Sequence, residues 1–446
     1  MKKVLIITYH FPPDAAVGAV RPAKFAKYLP EFGWEPFIYT VKERYYESCD
    51  YSRFEPALKP LKIYRANLIP GPLHLYSRLI YKANRSLNNA SPITQSFKGG
   101  SQNRINSIKR FLSSMARVPD DKQGWIFNIL MGGYRIIKEH KINVFMTSGP
   151  PMSAHLGGLL LKYLTHAKWI ADFRDPWAKI IIRRPDYMHT ACSNTMQKWL
   201  EYQVIRKADV VVSTTLSVSE YFKLILPKNK RSKCITITNG FDESDFMGIA
   251  HSTSRETHAI KITYAGTLYL KRDPEPFFEV LSELVKEKRI EPSHIEIDFM
   301  GNFIYYKGGS IQKLIEKYDL SSMVRYMGRI PFKMSLERLM SSNALLLFAQ
   351  GHPDQIPSKV FEYLRVNRPI FALTEEGETR SVLGEFENVF IADPGNPNEI
   401  RHKFLQMLEA VYNGEKYLSS EDKIRKYDRR SLTEKLAKCL DEINRK

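Results

Sequence analysis

Short apolar runs of strand length alternate with longer helical patterns along this chain, and the alternation occurs twice. In the first half, Val4–Thr8, Val144–Thr147 and Trp169–Asp172 have the composition of buried strands and are each followed by a loop and a helical pattern. The second half restarts with Ile260–Ala265, after a polar stretch at 246–259 that has no strand pattern. Strands that alternate with helices favour a parallel sheet covered by helices. We therefore predict an α/β protein with two doubly wound parallel-sheet domains.

Length and composition agree with two globular domains. The chain has 446 residues, 43% of them hydrophobic and 26% charged, which exceeds the usual size of a single core. The chain contains no run of about 18 apolar residues, so no transmembrane helix is predicted. The apolar part of the start, Val4–Ile7, is shorter than the roughly 7 residues of a signal-peptide core. The four cysteines are widely spaced without a CxxC pair, so they predict no disulfide framework and no zinc site, and fit a reducing cytoplasm.

A basic insertion, residues 56–119, carries part of the net charge of +19. It holds eleven Lys and Arg and no Asp or Glu. Within it, Ile105, Ile108 and Leu112 recur at helical spacing beside basic residues. Basic amphipathic segments of this kind are typical of membrane-surface binders, so we predict contact with an anionic membrane. A solvated insertion is the alternative, and no nucleic-acid motif accompanies the charge, so no nucleic-acid partner is expected.

The segment 352–373 combines a polar loop, a helix start and a buried strand. Ser358 is predicted to cap the helix. Lys359 lies where the helix dipole disfavours a cation unless an anion also binds, and backbone amides at a helix start suit a diphosphate. Asp354 and Glu362 add two carboxylates that can hold hydroxyl groups, although taken alone Asp354 would more often be a simple loop acid and Glu362 a first-turn acid. Together these residues predict a nucleotide-sugar pocket.

This segment resembles the donor-binding motif of the retaining glycosyltransferases of family four, which have the two-domain GT-B fold. The family wording Pro-Ser-Lys-x-x-Glu-Tyr-Leu stands at Pro357–Leu364, and Asp354 occupies a position where the family usually has Glu. The similarity extends over nearly the whole chain, most strongly over 260–383 and least over 43–140. It implies two Rossmann-like domains that face a central cleft.

The resemblance also implies a division of the chain. Residues 1–245 would form the acceptor domain and residues 260–425 the nucleotide-sugar donor domain. The C-terminal helix, 426–446, would cross back onto the first domain. Its pattern places Leu432, Leu436 and Leu440 on one face.

The resemblance assigns donor-binding roles residue by residue. Lys271, Arg272 and Lys359 would surround the diphosphate, Glu362 would hold the ribose hydroxyls and Asp354 the donor sugar. Glycines after the first strand of each domain would let the backbone approach the phosphates. The complete predicted donor set is Gly18, Gly266, Lys271, Arg272, Ser358, Lys359 and Glu362.

Two loops at strand ends of the first domain resemble the acceptor side of the family. Ser148 belongs to one loop and Arg174 to the other, and Arg21 follows the first glycine loop. His155 follows Ser148 in the first of these loops. Two of these residues have a structural alternative: Arg174, which is flanked by acids, also suits an internal ion pair, and His155 also suits packing at a helix start. The predicted acceptor-side residues are Arg21, Ser148 and Arg174, and the predicted catalytic residues are Asp354, His155 and Asp175.

No D-x-D pair and no His, Cys and Asp cluster occurs, so neither a metal nor another cofactor is expected. Cationic side chains would neutralise the leaving diphosphate instead. We expect a metal-independent, retaining glycosyltransferase of hexosyltransferase type, acting on a saccharide or lipid-linked saccharide in cell-surface polysaccharide biosynthesis. It would be cytoplasmic and peripheral on the inner face of the membrane. The alternatives are a nucleotide-sugar epimerase of the same fold and a non-catalytic membrane-surface binding protein.

Overall fold

A computed structural model gives the structure of the protein, in which the chain forms two units. Unit 1 comprises Met1–Ile237 and Thr433–Lys446, and unit 2 comprises Thr238–Leu432. The structure describes residues 1–71, 111, 113–179, 190–249, 259–268, 272–301, 303, 310–414 and 419–445.

Unit 1 is built on a seven-stranded parallel sheet with the strand order β3-β2-β1-β4-β5-β6-β7. The chain first moves from β1 to one edge and then returns to build the other, which is the doubly wound arrangement predicted from the sequence. The strands are β1 (Lys2–Thr8), β2 (Trp34–Val41), β3 (Lys62–Ala66), β4 (Val144–Gly149), β5 (Lys168–Phe173), β6 (Val210–Ser213) and β7 (Cys234–Thr236).

The helices of unit 1 follow the strands as crossover connections. Those between β3 and β7 pack against one face of the sheet, where the side chains of Leu5 and Ile7 meet Trp125, Leu161 and other buried residues. The helices are α1 (Val20–Tyr28), α2 (Gly124–Asn128), a π-helical turn (Ile129–Gly133), α3 (Tyr134–His140), α4 (Ser153–Thr165), α5 (Ala191–Lys207) and α6 (Leu216–Ile225).

Unit 2 repeats this plan with a six-stranded parallel sheet in the order β10-β9-β8-β11-β12-β13. The strands are β8 (Ile260–Ala265), β9 (Ile295–Met300), β10 (Val324–Gly328), β11 (Ala344–Phe348), β12 (Ile370–Leu373) and β13 (Val389–Ala392). The helices are α7 (Glu275–Lys286), α8 (Ile311–Lys317), α9 (Phe332–Ser341), α10 (Lys359–Val366), α11 (Glu378–Leu383), α12 (Pro397–Tyr412) and α13 (Glu421–Arg425). The prediction of two doubly wound parallel-sheet domains is confirmed.

Strand β11 shows why the strands have continuous apolar sequences. Leu346 and Phe348 belong to the hydrophobic cluster on one face of the sheet, and Leu345 and Leu347 to the cluster on the other face. A strand that is buried on both faces has no position for an exposed polar side chain. Polar residues are therefore concentrated at the strand ends, where ligands bind in sheets of this type.

The last helix, α14 (Arg429–Arg445), begins in unit 2, and its residues from Thr433 onward belong to unit 1. Within unit 1, the Asp441 carboxylate accepts hydrogen bonds from the Lys2 ammonium at 2.6 Å and from the Trp34 indole at 3.0 Å. Leu436 and Leu440 of the same helix are buried. The helix is therefore fixed to unit 1 by polar as well as apolar contacts.

The basic insertion predicted over residues 56–119 contains a strand that the sequence analysis did not predict. Lys62–Ala66 form the edge strand β3, whose register pairs Phe37 with Lys62 and Val41 with Ala66. The amphipathic pattern of Ile105, Ile108 and Leu112 lies outside the described residues. In the part of the chain that is described, no helix combines the length and apolar character needed to cross a membrane.

A buried carboxylate, Glu201 on α5, holds the loop that follows β5. It accepts hydrogen bonds from the backbone amides of Trp177 and Ala178, each at 3.1 Å, and from the Tyr221 hydroxyl at 3.1 Å. One turn earlier on α5, the Gln197 side chain accepts from the Trp177 indole at 2.6 Å. Burial raises the pKa of Glu201 to about 6. The loop after β5 is thus positioned by two polar side chains of one helix.

We expect Glu201→Gln to remove a pH dependence of stability. The folded-state pKa of about 6 lies above the unfolded value of 4.5, so folding favours the protonated form. The corresponding stability is present below pH 4.5 and is lost as the pH rises through 6, by about 2 kcal/mol for this pKa difference. Urea unfolding from pH 4 to 7 should show this loss in the parent protein but not in Glu201→Gln. The control Glu47→Gln, which changes an exposed residue, should have the same pH profile as the parent. If Glu201→Gln lost stability with pH as the parent does, the assignment of this pH dependence to Glu201 would be contradicted.

Candidate functional site

Three glycines end neighbouring strands of the unit 2 sheet. Gly266 follows β8 and Gly301 follows β9, with φ angles of +151° and +142° that favour glycine. The Gly266 amide donates to the Met300 carbonyl at 2.8 Å, and the Gly301 amide donates to the Gly328 carbonyl at 2.8 Å. A Cβ atom on Gly301 would collide with the Gly266 carbonyl. At the ends of β8 and β9 the sheet therefore presents closely packed glycine backbone.

Lys359, the first residue of α10, places a buried ammonium group beside Gly266. Its side chain donates to the Tyr264 hydroxyl at 2.8 Å and lies 3.9 Å from the centroid of the Tyr264 ring. A side chain on Gly266 would collide with this ammonium. Lys359 is only 8% exposed, so the ammonium has little contact with solvent in the ligand-free fold.

A second cation and a carboxylate act on Lys359. Burial lowers the pKa of the Lys359 ammonium well below its usual range, and the charge of the equally buried Arg272 lowers the pKa further. The Glu362 carboxylate, one turn along α10, has the opposite effect on that pKa. Two buried cations and one carboxylate therefore interact electrostatically near the start of α10, where a bound polyanion would be stabilised. Lys271, predicted to join them, lies outside the described residues.

The position of α10 is set by its packing against β8. The Tyr363 hydroxyl accepts a hydrogen bond from the Ala265 amide at 2.8 Å, and Phe361 and Leu364 are buried in the core. Ser358 occupies the N-cap position with helical dihedral angles, and its side chain makes no capping hydrogen bond. The capping role predicted for Ser358 is wrong, because the first turn is closed instead by backbone bonds such as Val360 to Pro357.

The loop that carries Asp354 is anchored on both sides of that residue. The Pro353 carbonyl accepts from the Glu378 amide at 2.8 Å, and the Gln355 carbonyl accepts from the Thr379 hydroxyl at 3.0 Å. Asp354 itself is half-buried between β11 and α10. The loop is thus fixed against the start of α11, which gives the carboxylate a defined location.

Gln350 is a site candidate that the sequence analysis missed. It follows β11, is buried, and donates from its side-chain amide to the Asp273 carbonyl at 2.9 Å. Its Oε1 atom has no hydrogen-bond partner among the residues that the structure describes. A polar residue directly after an apolar strand of a parallel sheet was the signal available in the sequence.

In unit 1, Arg21 and Ser148 are engaged in a buried ion-pair cluster at the ends of β4 and β5. The Arg21 guanidinium donates to the Asp172 carboxylate, from Nε at 3.1 Å to each oxygen and from Nη2 at 2.8 Å. The Ser148 hydroxyl donates to the same carboxylate at 2.9 Å. Arg21 and Asp172 are 2% and 0% exposed, so the pair orders the loops that hold it, and the predicted acceptor roles of Arg21 and Ser148 stay predictions.

Arg174 is fixed by backbone carbonyls. Its guanidinium donates to the carbonyl of Gly149 at 3.3 Å and to the carbonyls of Gly18 and Pro150. A Cβ atom on Gly18 would collide with this guanidinium. Burial lowers the pKa of Arg174, and the charge of Asp175 acts against that effect. Arg174 therefore joins the loops after β1 and β4, and the glycine at position 18 is required for that contact.

His155 is a buried residue near the start of α4. Its Nδ1 atom lies 2.9 Å from the Thr147 hydroxyl, and its ring packs on Phe173 with centroids 4.3 Å apart. Burial lowers the pKa of His155 to about 3, so the imidazole is neutral at pH 7. Its side chain is 0% exposed, which favours the packing alternative over the predicted catalytic role. Asp175 is half-buried in the loop after β5.

His10 and Asp14, in the loop after β1, are a polar pair that the sequence analysis did not single out. The His10 Nδ1 atom lies 2.7 Å from Asp14 Oδ2, and the Ala16 amide donates to Asp14 Oδ1 at 2.9 Å. The His10 side chain is 29% exposed while that of Asp14 is 4% exposed. A buried carboxylate that orients a half-exposed imidazole is an arrangement suited to proton transfer.

No protein-family model and no curated protein matches this chain, whereas many solved structures match it. Sucrose-phosphate synthase from Thermosynechococcus elongatus has 12% identity over 99% of both chains, with a TM-score of 0.65. HepE of Anabaena in complex with UDP has 11% identity over 99% of this chain and 100% of its own, with a TM-score of 0.62. The lipopolysaccharide outer core galactosyltransferase WaaB has 10% identity over 99% of both chains, with a TM-score of 0.58. At these identities the similarity establishes the GT-B fold.

We expect Lys359→Met to stabilise the ligand-free protein. Folding lowers the pKa of this ammonium, so stability is lost as the pH falls below the unfolded pKa of 10.5. Methionine has a similar length and no charge, and a gain of about 0.5–2 kcal/mol at pH 7 is typical of such a change. Thermal unfolding at pH 7 and above pH 10.5 should show a gain that disappears at the higher pH. The exposed control Lys313→Met should have no effect, and a Lys359→Met variant less stable than the parent at pH 7 would refute this account.

Proposed function

We propose that this protein is a glycosyltransferase that moves a sugar from a nucleotide-diphosphate sugar to a saccharide or lipid-linked saccharide. The observation that carries the proposal is the buried Lys359 ammonium beside Gly266, together with the charge of the buried Arg272, which acts on that ammonium. Two fixed cations in a dry environment match the charge of a diphosphate and stabilise it as a leaving group. HepE, which has the same fold, has been solved with UDP and with UDP-glucose.

The finer roles in this proposal are those that the family resemblance assigns to residues of unit 2. Lys359 and Arg272, with Lys271, bind the diphosphate, and the backbone at Gly266 and Gly301 provides the close surface that a nucleotide needs. Glu362 accepts hydrogen bonds from the ribose hydroxyls, and Asp354 from the donor sugar. Transfer retains the anomeric configuration and needs no metal, because the cations supply the neutralising charge.

The acceptor belongs to cell-surface polysaccharide biosynthesis in this proposal. A lipid-linked acceptor fits the basic composition of residues 56–119, which carry eleven cations and no carboxylate. The enzyme would then work in the cytoplasm, peripherally on the inner face of the membrane. Arg21, Ser148 and Arg174 stay the proposed acceptor-side residues, and Asp175 the proposed catalytic residue of unit 1, whereas the burial of His155 favours its packing role.

The proposal is tested by incubating the full-length protein with several UDP-sugars and a mixture of lipid-linked saccharides. A glycosyltransferase releases one UDP for each glycoside formed. An epimerase would change the sugar of the donor without releasing UDP, and a non-catalytic binding protein would leave every donor intact. Either of these results would overturn the proposal.

Glu362→Ala is expected to weaken UDP binding by roughly 1.5–3 kcal/mol, the range for hydrogen bonds to a charged group. Titration calorimetry with UDP measures the change directly. The matched control is Glu337→Ala, an exposed carboxylate on α9 in the same unit, which should leave UDP affinity unchanged. Unchanged affinity in a folded Glu362→Ala variant would remove Glu362 from the site.

Turnover is expected to continue in excess EDTA. The buried cations of unit 2 provide the charge that a divalent ion supplies in metal-dependent transferases. The initial rate of UDP release should be the same before and after chelation. Loss of the rate on chelation, with recovery on addition of Mg²⁺ or Mn²⁺, would contradict the mechanism.

A further inference from the structure

The outer surfaces of three helical segments of unit 1 carry large apolar side chains in contact with solvent. The segments are 124–140, α4 and α5. Their exposed apolar residues are between 41% and 71% exposed, so they contribute to the surface and not to the core. We call this set the three-helix face, and it consists of Phe127, Met131, Tyr134, Leu160, Tyr163, Leu164 and Trp199.

The helical segments that carry the three-helix face are neighbours in unit 1. Gly157 of α4 packs closely on Ile129, and Gly133 packs on Leu161, so α4 and the segment 124–140 lie against each other. The Lys207 ammonium of α5 lies 5.2 Å from the centroid of the Tyr163 ring on α4. Seven large exposed apolar side chains on neighbouring segments are a feature of interaction sites, since soluble proteins rarely gather exposed apolar surface in one region.

The charge around the three-helix face is strongly positive. The three segments contain six Lys and Arg, and two Glu of which one, Glu201, is buried. The second carboxylate is Glu139, and Asp209 beyond α5 pairs with Lys162. The Lys138 ammonium also lies 5.6 Å from the Tyr134 ring centroid. The cations are Arg135, Lys138, Lys162, Lys198, Arg206 and Lys207.

This distribution favours an anionic bilayer over a second copy of the chain. A two-fold contact between copies places the same surface against itself, which would oppose the cations of one copy to those of the other. An anionic leaflet instead complements the cations while its acyl boundary accepts the apolar side chains. Tyr and Trp rings are favoured at that boundary, and lysine stems can lie along apolar surface while the ammonium reaches the phosphates.

We propose that the three-helix face is a membrane-docking surface that lies on anionic phospholipid, with its apolar side chains in the headgroup region. The proposal adds a second surface to the membrane contact suggested for residues 56–119. This surface is formed by helical segments that the structure describes. The proposal rests on the proposed function for its biological purpose, and its physical basis is independent of the nucleotide-sugar chemistry of unit 2.

The experiment measures sedimentation of the full-length protein with vesicles of phosphatidylglycerol and phosphatidylcholine, compared with phosphatidylcholine alone. The apolar variant combines Phe127→Ser, Leu164→Ser and Trp199→Ser, which change exposed residues. We expect it to bind anionic vesicles at least about tenfold more weakly than the parent at every salt concentration. A charge variant, Arg135→Gln with Lys138→Gln and Lys198→Gln, should lose affinity mainly at low salt.

A matched control combines Phe332→Ser, Met334→Ser and Tyr412→Ser, which change exposed apolar residues of unit 2. It should bind vesicles as the parent does, and all variants should bind UDP with parental affinity. Parental vesicle binding by the apolar variant would overturn the proposal. Analytical ultracentrifugation that shows the parent as a dimer and the apolar variant as a monomer would also overturn it. Tighter binding of the parent to RNA than to anionic vesicles, lost in the apolar variant, would overturn it as well. Absence of UDP binding in the parent would refute the proposed function and leave this surface unaffected.

Discussion

The burial of the Lys359 ammonium is the constraint on which the unit 2 site depends. Glycine at 266 is needed because any side chain there would collide with that ammonium. Tyr264 supplies a hydroxyl and a ring face to it, and Tyr363 holds α10 against β8 so that the lysine stays in place. A cation with so little solvent is unfavourable unless an anion joins it. The ligand-free fold therefore holds an electrostatic cost that a bound diphosphate would relieve.

Unit 1 uses buried charge for a different purpose. The Arg21 guanidinium and Asp172 carboxylate neutralise each other inside the protein. The Arg174 guanidinium donates hydrogen bonds to carbonyl oxygens of two loops. A buried pair of this kind adds little net stability but is costly to break, so it fixes one arrangement of the loops. The charges at the strand ends of unit 1 therefore determine loop geometry, whereas the His10 side chain, paired with Asp14, is 29% exposed to solvent.

The sequence predicted the sheets better than the side-chain partners. Buried strands such as Ala344–Phe348 are apolar throughout, so the length of the apolar run identifies them. Strand β3 lies at the edge of the sheet and contains the charged residues Lys62 and Arg65, so it lacks such a run and was not predicted. The segment 124–140 was missed because no capping residue marks its start. The candidate site in unit 2 was predicted from one contiguous segment, 352–373. Ion pairing of Arg21 with Asp172 joins residues 151 positions apart, and no local pattern carries that information.

The two kinds of cation in this protein should respond differently to salt. Lys359 and Arg272 are buried beside backbone, where mobile ions penetrate little, so their attraction for a diphosphate is weakly screened. The cations of the three-helix face are largely exposed, and ions at physiological strength screen them over about 8 Å. Raising the salt concentration would therefore weaken attraction to lipid well before it weakens attraction to a nucleotide. The net charge of +19 thus includes the buried cations of the proposed diphosphate site in unit 2 and the exposed cations of the proposed lipid-docking surface of unit 1.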